Sequence, residues 1–169
     1  MPLTMYTLSV PAFIRGFSAL AGLLDKAEAF ASEKGMPLAE LFEARLAPDM
    51  LPLAGQVQRA SDTSKNAIGR LTTIEAPRFP DEERSFAELH ERIAKTVAFL
   101  ETVEPADLEG SENREVTLSF PTLKITFSGE DYLLKFVLPN FYFHVTTAHD
   151  ILRHKGVSIG KADYIGGLG

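Results

Sequence analysis

The sequence predicts an all-α protein: a four-helix bundle in up-down-down-up order, with a small β-hairpin before the last helix. Four long stretches repeat apolar residues every three or four positions, the spacing of one helix face. One stretch instead alternates apolar and polar residues on both sides of a Pro-Thr pair, the pattern of a hairpin. The connection between the second and third helical stretches is too long for a tight antiparallel turn.

The first helix spans roughly residues 4 to 34, with Leu8, Ile14, Phe17, Leu20, Leu24, Ala27 and Phe30 on its inner face. Pro11 either starts this helix or kinks a longer one. Gly35 ends it in C-cap fashion. "MPLAELFEARLAP" follows as a short helical turn within a connection. The second helix is expected to open at Asp49 as N-cap, with Pro52 tolerated in the first turn. Its inner stripe reads Met50, Leu53, Val57, Ala60, Ser64, Ala67 and Leu71. Ser85 with Glu88 three residues on is a capping box for the third helix, whose stripe is Phe86, Leu89, Ile93, Val97 and Leu100. "REVTLSFPTLKITFSG" is the hairpin. The fourth helix runs from about Gly129 to Gly156 with a kink expected at Pro139, and the tail "VSIGKADYIGGLG" is expected to be extended.

The 12 residues "TIEAPRFPDEER" between helices two and three can run back along a helix some ~36 Å long. That length favours helices two and three lying parallel, with the hairpin as a flap between helices three and four.

Length and composition fit one soluble domain over residues 1–169. Hydrophobic residues are 45% and charged residues 24%, an ordinary globular balance. A net charge of −6 argues against a nucleic-acid surface, which needs a basic patch. Charged residues interrupt the apolar runs before a bilayer span of ~20 residues is reached, so no membrane partner is expected. No basic region precedes the apolar N-terminal stretch and Arg15 breaks it, so a signal peptide is not expected. With no cysteine, disulfides, thiolate metal sites and cysteine nucleophiles are excluded, and a reducing cytoplasm is the expected compartment.

Three of the four histidines lie in "LPNFYFHVTTAHDILRHKG". His144 and His149 are five residues apart, as are His149 and His154, and such pairs do not share a helix face. Leu133, Val137, Asn140, His144, Ala148 and Ile151 do form one face, so His144 points inward. His149 and Asp150 are expected to face outward, while His154 sits near the C-terminal carbonyls of its helix.

The same stretch resembles the last helix of the DinB/YfiT-like superfamily, four-helix-bundle proteins that are often metal-dependent. His144 matches the second histidine of that helix's His-x-x-x-His, Leu152 and Arg153 match its Leu-Arg pair, and Gly156 its terminal glycine. "APDMLPLAGQVQRASD", "FYFHVTTAHDILRHKGV" and "IGKADYIG" further resemble an uncharacterised bacterial branch of the superfamily, a domain-of-unknown-function family. The resemblance implies a metal site with one histidine from helix two and two from helix four. Helix two here has no histidine, Gln56 is best placed at its ligand position, with Gln58 less so, and Asn140 stands at the first position on helix four. His144 alone remains. Because neutral amides are poor ligands for zinc or nickel, no cofactor is expected, and His144 is the one weak candidate for a metal.

The pocket candidates are therefore His144, Asn140 and Gln56. To these is added Asp62, a general base if buried and one more charge on a solvated helix face if not. His90 is expected to border the core. Ser61, Thr63 and Ser64 lack a nucleophile-elbow pattern, so a serine hydrolase is not expected. Tyr132, Phe136, Phe141, Tyr142 and Phe143 surround helix four on more than one side. Either the hairpin and tail cover this surface, or a homodimer forms through helix four, the favoured reading. Two functions follow: a small-molecule-binding or non-catalytic bundle with a degenerate metal site, or an enzyme using His144, resembling the thiol-dependent transferases and isomerases of the superfamily.

Overall fold

The computed structural model describes residues 3–166. Helix α1 (Met5–Lys34) starts at Thr4, whose hydroxyl accepts from the Thr7 N–H while Thr7 Oγ1 accepts from the Thr4 N–H. Pro11 lies within it, beyond the first turn. The helix stops at Gly35, whose φ of 62° suits a residue without a Cβ. The short α2 (Leu38–Phe42) buries Leu41 and sets Phe42 against Phe86.

Helix α3 (Leu53–Leu71) begins later than the sequence suggested. Pro52 is its N-cap, no side chain caps it, and Asp49 lies outside it. The reason is local: Pro52 is itself extended, with ψ of 173°, and residues 47–50 form a separate turn closed by the Met50 N–H on the Ala47 carbonyl, so Asp49 has no helix to cap. Helix α4 (Phe86–Leu100) is capped by Ser85, whose Oγ accepts from the Glu88 N–H. The Glu88 carboxylate reaches back to Arg84 rather than Ser85, so only half of the capping box forms.

Strands β1 (Glu115–Ser119) and β2 (Lys124–Ser128) form the expected hairpin, with Val116 opposite Phe127 and Leu118 opposite Ile125. A turn follows, α5 (Gly129–Asp131), whose first position must be glycine: a Cβ at Gly129 would stand 1.8 Å from the Ser111 carbonyl oxygen. The backbone continues as a π-helical stretch, Tyr132–Val137, into α6 (Leu138–His154). Pro139 cannot donate to the carbonyl four residues back and its ring crowds it. The wider π turn just before it is where the helix absorbs that loss. The tail is not wholly extended as expected. Val157 and Ile159 are buried, but Lys161–Ile165 winds into α7, where the Asp163 carboxylate accepts from the Gly160 N–H.

Contacts between elements fix the topology. The N-terminal ends of α3 and α4 both sit at the α2 end: the Leu53 N–H bonds to the Ala44 carbonyl, and Phe86 meets Phe42. Moving forward along α3, Gln58 meets Glu83 and Ser61 meets Thr96, so α3 and α4 are parallel. Gln56 meets His144 and Thr63 meets Asn140, so α6 runs against α3. With Phe30 near the end of α1 packed against Gly156, α1 and α6 run together, completing up-down-down-up.

The core draws from all four helices. Phe141 stands edge-on to Phe13 and Phe17, with ring centroids 5.0 and 5.3 Å apart, over Gly16. Phe141 and Val145 are thus buried within the chain, whereas Tyr142 and Phe143 stay exposed. Among the described residues, α1 alone is long and apolar enough to cross a bilayer; its inner face packs into this core.

One charged side chain ties the crossover at residues 72–85 to the parallel pair. Arg92 is 2% exposed. Its guanidinium donates to Asp62 at 3.0 Å, Glu83 at 2.9 Å, Asp81 at 3.2 Å, the Pro80 carbonyl at 3.1 Å and Ser61 Oγ at 2.9 Å. Asp62 also receives Lys65 and Arg59, Arg59 reaches Asp81, and Gln58 donates to Glu83. Phe79 lays its ring over both Lys65 and Arg92. Three cations and three carboxylates balance. Burial alone would raise the Glu83 carboxyl, but hydrogen bonds from Arg92 and Gln58 outweigh this and hold it below the ordinary value of 4.5.

Removing one partner from such a network strands the others. Arg92→Ala should lower stability by about 3–5 kcal/mol in urea unfolding. Because Glu83 titrates lower when folded than unfolded, its contribution is complete above the unfolded value and fades as pH falls through the folded one. Glu83→Gln should therefore flatten the loss of stability in acid below about pH 4.5, read by thermal melts across pH.

Candidate functional site

The antiparallel meeting of α3 and α6 brings two of the sequence-predicted residues into contact. Gln56, 1% exposed, lies in the first turn of α3, and half-buried His144 lies opposite on α6. His144 Nδ1 stands 2.7 Å from Gln56 Oε1. Gln56 Nε2 donates in turn to the Leu51 carbonyl at 3.0 Å, a group just ahead of the helix. With the amide NH₂ committed there, its oxygen faces the ring, and Nδ1 must carry the proton. The remaining ring nitrogen, Nε2, keeps its lone pair.

Electrostatics hold the ring in that state. Burial, followed by the nearby positive charge of Arg59, lowers the His144 pKa from 6.5 to about 4. Sequence reasoning missed Arg59 here. Its position three residues after Gln56 places it on the same side of α3 and was the available signal.

Asn140, one turn earlier on α6, makes a separate rung across the same interface, its Nδ2 donating to Thr63 Oγ1 at 2.9 Å. Thr63, weighed from sequence only as a nucleophile, is therefore an amide's partner. Asp62 joins neither rung. Its carboxylate is taken up by Arg59, Lys65 and Arg92, which makes it neither a free base nor a simple solvated charge.

The other histidines lie apart. His90, expected to border the core, bridges α4 to α1 through Glu28 at 3.1 Å and Asp25 at 3.3 Å, a polar surface contact with Asp25 well exposed. His149 is half-buried rather than outward-facing. Its ring stands between Asp150 and the Gly160 carbonyl, with Tyr164 of the tail edge-on to it. His154 is exposed in the last turn of α6.

The donor set does not suit the metal centre that the superfamily resemblance implies. His144 is the lone imidazole, the Gln56 oxygen is spent on His144 itself, and the Asn140 amide faces Thr63. Arg59 adds a positive charge that any divalent cation would have to approach.

Residues 5–165 match the family described as a domain of unknown function, DUF1993. The chain belongs to that family. A crystal structure of a DinB family member protein from Shewanella denitrificans is 38% identical to it, with 97% of this chain and 93% of that one covered and a TM-score of 0.89. This DUF1993 chain is accordingly a DinB-like helical bundle. No curated protein matches it.

A histidine whose folded pKa lies below its unfolded one takes up fewer protons when folded between those values. Stability should then fall as pH drops from about 6.5 toward 4. Nitrogen-15 spectra of histidine-labelled protein should show His144 as the neutral Nδ1–H tautomer at pH 6, charging only near pH 4. In Gln56→Leu the tautomer preference should be lost.

Proposed function

We propose that this DUF1993 protein is a DinB-like small-molecule-binding or non-catalytic bundle, in which a hydrogen bond between Gln56 and His144 stands where the superfamily places a metal. The observation that supports this most is the 2.7 Å contact between His144 Nδ1 and Gln56 Oε1, backed by the Gln56 bond to Leu51. These groups satisfy one another in pairs, so no cation is needed to hold them together. Hollows lined by Leu108 and Tyr6, by Phe79 and Arg92, and by Arg15 and Lys26 lie elsewhere on the surface.

A second reading rests on the same ring. A neutral imidazole with a fixed N–H on one side and a lone pair on the other is the form a general base takes. In an enzyme of the thiol-dependent transferase or isomerase kind, His144 would take the proton of a thiol with Gln56 orienting the ring, and the bound thiol would have to raise the ring's basicity above its unliganded pKa of about 4.

Metal analysis of untagged protein, with melts in added Zn²⁺, Ni²⁺ and Mn²⁺, separates these readings. The first expects substoichiometric metal, unchanged melting, and no thiol-dependent turnover that His144→Ala abolishes. Stoichiometric metal lost in His144→Ala would overturn it, and metal-free turnover lost in the same variant would install the second.

Association as a homodimer through α6 belongs to the same proposal. Its support is Phe143, 54% exposed, beside exposed Tyr142, after the core has absorbed Phe141 and Val145. Light scattering should give twice the chain mass for the wild type and the monomer mass for Phe143→Asp. A wild type that is already monomeric would remove this part.

A further inference from the structure

At the hairpin end, away from His144, a hollow of about 450 Å³ opens between the start of α1, the residues following α4, and the π-helical stretch before α6. Its size falls within the range of small-molecule sites. Part of its wall is apolar. Leu108 is buried at one side, Tyr6 is half-buried beside it, and Leu3 and Leu134 project into solvent at 79% and 43% exposure. Two exposed leucines converging on one hollow are surface that a ligand's apolar body would cover.

The charge around it has one sign. Glu109, Glu112 and Glu130 line it, and no lysine or arginine does so among the described residues. No ion pair engages these three carboxylates among the described residues, although Asn113 donates to Glu112 at 3.3 Å. They also belong to a broader field: residues 101–115 hold six acidic side chains and one basic one. The N-terminus of α1 opposes this field with only about half a unit of positive charge, and Thr4 and Thr7 already cap it. The carboxylates win. A cation is therefore drawn in, beside the Tyr6 side chain that lines the same hollow.

We propose that this hollow binds a small organic ammonium ion: an apolar body lodged against Leu3, Leu108 and Leu134, its cationic head among the three glutamates and the Tyr6 ring. Hydrophobic burial supplies the hold on the body, and the carboxylates select the charge. The site is independent of the reading given to His144 and shares none of its residues.

Calorimetric titration of the full chain tests it with three probes of matched body: hexyltrimethylammonium, hexanol and hexanoate. The expected result is saturable binding of the ammonium alone, weakened by raised salt. Glu130→Gln and Glu112→Gln should each weaken it by up to about fivefold, the scale of an exposed charge pair. Leu134→Arg should abolish it, with unchanged circular dichroism and melting showing that the fold survives. Equal binding of hexanol would overturn the charge selection, and preference for hexanoate would mean that the helix terminus dominates. Absence of saturable binding by any probe would refute the site. A lysine-rich peptide that binds where hexyltrimethylammonium does not would also refute it, and would make this face a protein-docking surface.

Discussion

The bundle depends on a buried guanidinium. Parallel neighbouring helices cannot be joined by a tight turn, so the chain from α3 must travel back the length of the bundle before α4 begins. That crossover carries Asp81, Glu82 and Glu83 and has few apolar residues of its own to anchor it. Arg92 solves this from the inside, reaching out of α4 to hold Pro80, Asp81 and Glu83 against Asp62 of α3. Desolvating a guanidinium is costly, and only several well-aligned acceptors offset it. Arg92 has them on every side. The price is acid sensitivity, because Glu83 must remain ionised.

This network extends to the α3–α6 interface through Arg59. One face of that side chain pairs with Asp62 and Asp81, and its positive charge is felt by His144. The arrangement that fixes the crossover therefore also helps keep the imidazole neutral. Arg59 thus links the charges of the crossover to the proton state of the helix interface.

Much of this was legible in the residues. Stripes such as Phe86, Leu89, Ile93 and Leu100 marked helices, Gly35 and Ser85 marked an end and a start, and the crossover length alone implied the parallel pair. Other features were hidden for physical reasons. Asp49 resembles an N-cap, but it lies in the turn over residues 47–50, and the extended Pro52 moves the start of α3 downstream. Asp62 with Lys65 three residues on reads the same whether solvent or a folded-back loop lies above it, so its place in the Arg92 network could not be read locally. The inward direction of His144 was visible in its helical face, and the superfamily resemblance pointed to Gln56 on the facing helix. That the two would bond to each other, rather than converge on a third point, depends on the axial offset of two helices far apart in sequence.

That offset bears on what the site can be. In a metal centre, a histidine turns one nitrogen to the ion and gives the other's proton to a supporting acceptor. Here Gln56, which the superfamily resemblance sets at a ligand position, acts as the supporting acceptor, accepting from Nδ1–H while anchored to the Leu51 carbonyl. An amide oxygen that accepts from the imidazole is directed at the ring, and aiming it at a shared ion would mean breaking both of the bonds Gln56 makes. Approach of the ion would also be opposed by Arg59. The interface is thus satisfied as it stands, and its one outward-looking function is the Nε2 lone pair, which offers a hydrogen-bond acceptor to a ligand that brings a donor.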